Sequence, residues 1–394
     1  MNVLYNISVQ ILVISAAISA LFNKKIRLWV KGRGDIFKQL SEAIKEEQNI
    51  VWFHCASLGE FEQGKPILKA YKKKYPKHKI LLTFFSPSGY EIRKNNKDSN
   101  WVFYLPADTK KNAKEFISIV RPIKAVFIKY EFWFNYMTEL KEKNIPLYSV
   151  SSIFRKEQFF FKYKWIAKQL KNVTHFFVQD KKSEELLKSI GFSNCTVSGD
   201  TRFDSVIANT QNPISIPLIE QFSKKRTTII CGSTWLKDEA ILVKYIKKNP
   251  NYSYIIAPHE MQHISTLQKQ TNALLFSKAD NTNISSGNVL IIDRIGILPS
   301  IYQYGKLAYI GGGFGIGIHN ILEAVAFGLP VIFGPNYQKF NEAAELINKK
   351  GAISISNYKE LSSSIDYFNL FDTSIAMNYI KENSGATTKI LINL

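Results

Sequence analysis

The chain of 394 residues is 45% hydrophobic and carries 52 Lys and Arg against 32 Asp and Glu, a formal net charge of +20. That length exceeds one ordinary core and predicts two domains, and the apolar content excludes a disordered chain. Cys55, Cys195 and Cys231 lie too far apart in sequence for a disulfide scaffold or a cysteine zinc site, and they point to a reducing compartment. Residues 1–200 hold 34 basic and 18 acidic side chains (+16) and residues 201–394 hold 18 and 14 (+4), so an anionic partner is expected at the N-terminal half.

Residues 3–22, VLYNISVQILVISAAISALF, carry no charge and have the length needed to cross a hydrocarbon layer, although Asn6, Ser8 and Gln10 interrupt them. A cleaved signal peptide would place its positive charges ahead of the apolar run. Here Lys24, Lys25, Arg27, Lys31 and Arg33 follow it, which keeps the body on the cytoplasmic side. Residues 1–23 therefore read as an uncleaved hydrophobic anchor helix, spanning the membrane or lying in its interface. The plain alternative is a buried first helix of the N-terminal domain.

Short runs rich in β-branched and aromatic residues then alternate with helix-length amphipathic stretches. They are 50–55, 79–84, 124–129, 146–150, 174–179 and 195–199 in the first half, and 227–232, 253–258, 289–293, 307–312 and 329–334 in the second. Such alternation predicts two α/β domains, each a parallel sheet covered by helices. TQNPISIP, residues 210–217, marks the seam. The expected division is an N-terminal doubly wound domain over 24–209, a linker over 210–225, and a C-terminal doubly wound domain over 226–394 whose final helix packs back on the first. Ligands of such folds bind beyond the carboxyl ends of the strands, in a cleft between the two domains.

Two motif matches mislead. His259-Glu260-Met261-Gln262-His263 fits the zinc-protease pattern, which needs both histidines on one helix face; here it directly follows a strand and Pro258. Gly59 to Pro66 approaches a P-loop, but Pro66 replaces the magnesium-binding hydroxyl and two carboxylates sit where phosphate would lie.

The segments with chemistry follow the strands. After 50–55 comes Ser57-Leu58-Gly59-Glu60, where Glu60 opens a helix as either a cap or a base held ionised by the helix end. Ser86-Pro87-Ser88-Gly89 and Gly232-Ser233-Thr234 each offer small residues at a helix start, suited to an anion or to a plain turn. Glu131 sits among Tyr130, Phe132 and Trp133, where an unpaired carboxylate is costly to bury. Residues 151–165 interleave Arg155, Lys156, Lys162 and Lys164 with aromatics, as suits anionic lipid better than single-stranded nucleic acid beside an anchor. Residues 309–335 carry a glycine run that lets the backbone approach a ligand, followed by a helix expected to start near His319 and Asn320, with Glu323 one turn in to meet ribose hydroxyls.

The ordered blocks SLGE, SPSGYE, YLPAD (104–108), YEFWFN, SGDTRFD (198–204), CGSTWLKDE and GIHNILEAVAFGLPVIFGP resemble the 3-deoxy-D-manno-octulosonic acid (Kdo) transferases of lipopolysaccharide synthesis over nearly the whole chain. The last block alone resembles GT-B glycosyltransferases in general. The resemblance implies a GT-B fold and inverting transfer of Kdo from CMP-Kdo to the lipid A precursor at the cytoplasmic face of the inner membrane, with anionic lipids as partners, no nucleic acid and no metal or other cofactor. It implies Glu60 as general base, Glu131 and Arg202 as transition-state stabilisers, and a CMP site at Pro258 and His259, at Ile295, Gly296 and Ile297, and at Asn320, Ile321, Leu322 and Glu323. The chain departs from the family where His259 replaces Arg, Ile297 replaces an acidic residue, and Arg202 replaces Lys. The alternatives are another GT-B transferase taking a UDP-sugar to a lipid, a membrane-anchored zinc hydrolase built on HEMQH, and a lipid-binding protein without activity.

Overall fold

The computed structural model describes residues 2–45 and 49–394; Met1 of the expected anchor and residues 46–48 of the expected first domain lie outside it. The chain divides into two compact units, Met1–Ser205 with Ser384–Leu394, and Val206–Asn383.

The first unit is built on a seven-stranded sheet in the order β3-β2-β1-β4-β5-β6-β7. Its strands are β1 (Ile50–Cys55), β2 (Lys79–Phe84), β3 (Trp101–Tyr104), β4 (Lys124–Ile128), β5 (Leu147–Ser152), β6 (His175–Val178) and β7 (Cys195–Val197). Every pairing within it is parallel. All six residues of β1 are buried, because helices cover both faces. The period of two sends Ile50 and Trp52 into one cluster with Phe116, Phe127 and Tyr136, and Val51, Phe53 and Cys55 into the opposite one with Phe61, Tyr71 and Ile128. Each such large side chain contributes roughly 1.5–3 kcal/mol of transfer free energy. The last helix of this unit, Ala386–Ile392, is tied down at its start by Asp204, whose carboxylate accepts the amides of Gly385 and Thr387, each at 2.6 Å.

The second unit repeats the plan with a seven-stranded sheet in the order β10-β11-β9-β8-β12-β13-β14. Its strands are β8 (Thr228–Thr234), β9 (Ser253–Pro258), β10 (Leu274–Leu275), β11 (Val289–Ile291), β12 (Leu307–Ile310), β13 (Val331–Phe333) and β14 (Ala352–Ser354), again all parallel. In each sheet the order reverses beside the first strand formed, between β1 and β4 and between β8 and β12. Loops leaving those strands diverge and open the crevice in which doubly wound sheets hold ligands.

Two expectations need correction. The stretch 210–225 is not a plain linker: Pro217–Ser223 is helical and buries Ile219 and Phe222, while the helix Thr201–Gln211 runs across the division between Ser205 and Val206. Nor is the spanning form of the anchor supported: no helix among the described residues is long and apolar enough to cross a membrane. The first helix, Asn2–Ser19, instead lies along the first unit. Val9 and Ala20 are buried and Tyr5, Val13 and Ala16 half-buried, a stripe at helical spacing. Tyr5 donates its phenol to Asp108, and Asn6 accepts the side-chain amide of Asn135 at 3.0 Å. Of the polar residues that interrupt the apolar run, Asn6 thus serves docking, while Ser8 bonds back to the Tyr5 carbonyl and Gln10 is exposed. The other side keeps Val3, Leu4, Ile7, Ile11, Ile14 and Ile18 exposed.

Candidate active site

In the first unit the candidate residues Glu60 and Glu131 follow β1 and β4, the two strands that flank the reversal, and Arg202 follows β7. β1 ends at Cys55, and the helix Leu58–Lys74 starts two residues after Ala56, which puts Glu60 in its first turn. Ser57 donates its hydroxyl to Glu60 Oε2, fixing the carboxylate against the helix end. The same helix disposes of the near P-loop: residues 59–66 are helical and not a loop, Phe61 already donates its amide to the Ser57 carbonyl, and Pro66 has no amide to offer a phosphate.

β4 ends at Ile128 and turns sharply, with Lys129 at φ 70°, a left-handed conformation that a non-glycine residue adopts under constraint. The turn delivers Glu131, which is 12% exposed at its side chain. Its Oε2 accepts the indole N–H of Trp133 at 2.7 Å and lies 3.3 Å from Nε2 of His54. Burial pushes the Lys129 ammonium below its ordinary range, Glu60 and Asp200 oppose that shift, and Arg202 and Arg155 add to it. Burial raises the Tyr130 phenol, with Arg155 and Glu60 acting on it in opposite senses. Glu60, Lys129, Tyr130, Arg155, Asp200 and Arg202 therefore form one electrostatic neighbourhood. Arg202 is held by its neighbour: Asp200 Oδ2 accepts Nε at 2.8 Å and pairs with Nη2 at 2.7 Å, while Oδ1 accepts the Arg202 amide at 2.9 Å. This grip orients the guanidinium.

Next to Tyr130 lies a cavity of about 730 Å³ lined by Leu4 and Tyr5 of the first helix, by Phe132, and by Phe159, Phe160 and Trp165. Glu157 also lines it, and Arg155, Lys156, Lys162 and Lys164 of the same chain segment are exposed.

In the second unit the corresponding loops follow β8, β9, β11 and β12. β9 ends at Pro258, and the His259 ring stacks on Trp235 at 4.5 Å and lies 4.5 Å from His319. Trp235 donates its indole N–H to Nε2 of His319 at 2.9 Å. Burial, and after it the proximity of His259, push His319 down to about 4, so this imidazole stays neutral at physiological pH. The wholly buried carboxylate of Asp238 ties the loops together: it accepts the amides of Trp235 and Gly312, each at 2.9 Å, and the phenol of Tyr309 at 2.7 Å. The loop after β11 presents Ile295, 85% exposed, then Gly296 at φ 93° and the half-buried Ile297.

The glycine run differs from expectation. A Cβ on Gly311 would sit 2.2 Å from the Ser233 carbonyl oxygen, and one on Gly313 would sit 2.6 Å from Gly334 Cα. These glycines are needed because β8, β12 and β13 bring protein backbone against protein backbone at their ends. The helix after the run also starts later and is shorter than expected: Leu322–Val325 is a single turn, so His319 and Asn320 precede it. A single turn has little macrodipole, and binding must rely on side chains. Asn320 supplies two contacts, with Oδ1 accepting the Leu322 amide at 3.1 Å and Nδ2 donating to Glu323 Oε1 at 3.2 Å.

The zinc-protease reading loses its geometry. His259 ends a strand, Met261–His263 is a 3₁₀ turn, and the α-helix begins at Ile264, so the two histidines share no helix face. His263 pairs with Glu260 at 3.3 Å, and no group of three or more His, Cys, Asp or Glu residues able to hold a metal occurs among the described residues.

In the first unit Glu60 and Arg202 both act on Lys129, and Glu60 and Glu131 both act on the buried Cys55; in the second, His259 follows β9, Asn320 and Ile321 precede the one-turn helix, and Leu322 and Glu323 open it. His54, Lys129, Trp133, Trp235 and Asp238 went unassigned in the sequence reading. Their signals were slight: a histidine inside an apolar strand, a lysine at a strand end, and a carboxylate three residues after Trp235.

Parallel seven-stranded sheets in both units, with chemistry on the loops beside each reversal, define a protein resembling GT-B glycosyltransferases. A glycosyltransferase from Rickettsia africae has this fold, with a TM-score of 0.57 over 88% of this chain and 98% of its own at 14% identity. UDP-GlcNAc 2-epimerase from Neisseria meningitidis has it too, with a TM-score of 0.60 over 87% and 98% at 13% identity, so fold alone does not choose the reaction. Sequence does. Residues 31–205 match the family of 3-deoxy-D-manno-octulosonic-acid transferase (kdotransferase), and a 3-deoxy-D-manno-octulosonic acid transferase from Aquifex aeolicus is 29% identical over 81% of this chain and 86% of its own. The first half of the chain thus matches the Kdo transferase family, and the chain is a glycosyltransferase.

Proposed function

We propose that this enzyme transfers Kdo from CMP-Kdo to a hydroxyl of the lipid A precursor with inversion at the anomeric carbon. The observation that carries the reading is the pair Glu60 and Glu131 at the carboxyl ends of β1 and β4, with Arg202 in the same electrostatic neighbourhood. Glu60 removes the proton of the acceptor hydroxyl as it attacks. The sugar passes through an oxocarbenium-like state and CMP departs. Glu131 supplies negative charge toward the developing cation, and Arg202, oriented by Asp200, supplies fixed positive charge.

On the second unit, His259, Ile295 to Ile297 and Asn320 to Glu323 hold the CMP moiety. His259 offers a stacked imidazole where the family usually has the broader fork of Arg. No step here requires a metal.

The cavity beside Tyr130 and the exposed cations of the adjoining segment 155–164 suit an acyl chain and a phosphorylated head group. The exposed apolar side of the first helix suits a helix lying in the interface at the cytoplasmic face of the inner membrane. A transferase for UDP-sugars remains the rival. Incubation of the purified chain with tetra-acylated lipid A precursor and either CMP-Kdo or UDP-sugars, followed by mass analysis of the lipid, decides between them. Kdo addition supports the proposal, and product with a UDP-sugar alone overturns it.

A further inference from the structure

Resting on the reading of Glu131 as a reaction-site carboxylate, we propose that His54 is a positioning residue. It delivers an Nε2–H donor, set by a relay from inside the core, that holds Glu131 in its working orientation.

His54 is wholly buried at the carboxyl end of β1, on the same side as Trp52. Its ring lies edge-on to Phe127 and Trp133, with centroids 5.4 and 6.3 Å away, so no bulk water meets its nitrogens. Nδ1 lies 2.8 Å from Thr83 Oγ1. Nε2 lies 3.3 Å from Glu131 Oε2 and 3.1 Å from Trp133 Nε1. Thr83 Oγ1 also accepts the indole N–H of Trp52 at 2.8 Å.

Two neutral tautomers are conceivable, and the partners distinguish them. With the proton on Nδ1, Thr83 Oγ1 would accept from both Trp52 and His54 and could donate only to the Phe53 carbonyl, 3.5 Å away. Nε2 would then turn a lone pair toward the Glu131 carboxylate, with only the Trp133 proton between two acceptors. With the proton on Nε2, every donor finds an acceptor, two of them sharing one carboxylate oxygen. Trp52 N–H reaches Thr83 oxygen, Thr83 O–H reaches Nδ1, Nε2–H reaches Glu131 Oε2, and Trp133 N–H reaches that same oxygen at its shorter distance of 2.7 Å. The second arrangement is a one-way chain running Trp52, Thr83, His54, Glu131. It ends on a carboxylate that two fixed N–H donors orient from the protein side.

A histidine with only a packing role would be replaceable by an apolar side chain of similar bulk. The relay makes a different prediction, because it acts on Glu131 and not on either substrate. Kinetics of Kdo transfer with CMP-Kdo and the lipid A precursor are measured for the wild-type chain, His54→Leu, His54→Gln and Thr83→Val, with thermal melts alongside. His54→Leu lowers kcat roughly tenfold or more with both KM values within about twofold, and His54→Gln, whose amide can reach Glu131, restores most of the loss. Undiminished kcat in folded His54→Leu, or equal impairment of the Leu and Gln variants, overturns the role. If His54→Leu does not fold, Thr83→Val decides: a kcat at least about threefold lower on the folded protein supports the relay, and an unchanged kcat overturns it. Absence of transfer by the wild-type chain would remove the functional reading itself, a result distinct from a failure of His54 alone.

Discussion

Trp235 and His319 stand on the two sides of the reversal in the second sheet, one after β8 and the other after β12, and the indole N–H of the first is donated to Nε2 of the second at 2.9 Å. The bond requires an unprotonated Nε2, in keeping with an imidazole pushed down to about 4 from 6.5. Because the folded-state value lies below the unfolded one, the unfolded chain binds the proton more readily over this interval. The stabilisation is present above pH 6.5 and is lost as pH falls toward about 4. Thermal melts at pH 7 and pH 5 are expected to show a drop in Tm that shrinks in His319→Asn. An identical pH dependence in the variant would dismiss His319 as the titrating group.

Replacing Glu60 by Gln keeps the side chain's size and its contact with Ser57 while removing the base. Transfer is expected to fall by about three orders of magnitude, the middle of the range for loss of general-base assistance. CMP affinity, read by calorimetry, stays unchanged, since the proposed nucleotide contacts belong to the other unit. Turnover near that of the wild type would remove Glu60 from the mechanism.

The glycine loop permits a matched pair of substitutions. Gly313→Ala forces a Cβ to within 2.6 Å of Gly334, whereas Gly315→Ala meets only the Gly312 carbonyl oxygen at 3.5 Å. The first is expected to destabilise the protein by about 1–3 kcal/mol, as overpacking does, and the second to be nearly neutral. Denaturant titration checks both; equal midpoints would mean that the strand ends separate easily.

Ile7, Ile11 and Ile14 are exposed on the first helix, away from its docked stripe. Replacing Ile7 and Ile14 by Asp is expected to abolish sedimentation with vesicles of anionic phospholipid while leaving the melting profile intact, because neither side chain is buried. Undiminished sedimentation would assign vesicle binding to the exposed cations of residues 155–164. Added salt would then release the protein.

Much of the fold was legible because parallel strands buried on both faces read as unbroken apolar runs, as IVWFHC and SYIIAP do. β3, β10 and β14 went unseen, and each is an edge strand of four residues or fewer, where half-exposure removes the signal. The first helix was legible as apolar, but the spanning form of the expected anchor was not excluded by composition, which does not reveal that Tyr5 and Asn6 have partners 103 and 129 residues away. The candidate site was legible where a residue type is costly in its context, as Glu131 is among aromatics. It was not legible where the role depends on contacts across strands: His54 meets Thr83 from β2 and Glu131 from beyond β4, neighbours that only the sheet order supplies.

The grip of Asp204 on Gly385 and Thr387 has a consequence for how the molecule is made. The whole second unit is spliced between the two segments of the first, so it leaves the ribosome before the helix Ala386–Ile392 does. The first half of the protein is begun earliest and completed last. A fragment ending at Ser205 would leave the Asp204 carboxylate without the two amide donors it accepts, and a self-sufficient first unit would have to be engineered by joining residue 205 to residue 384 with a short flexible bridge.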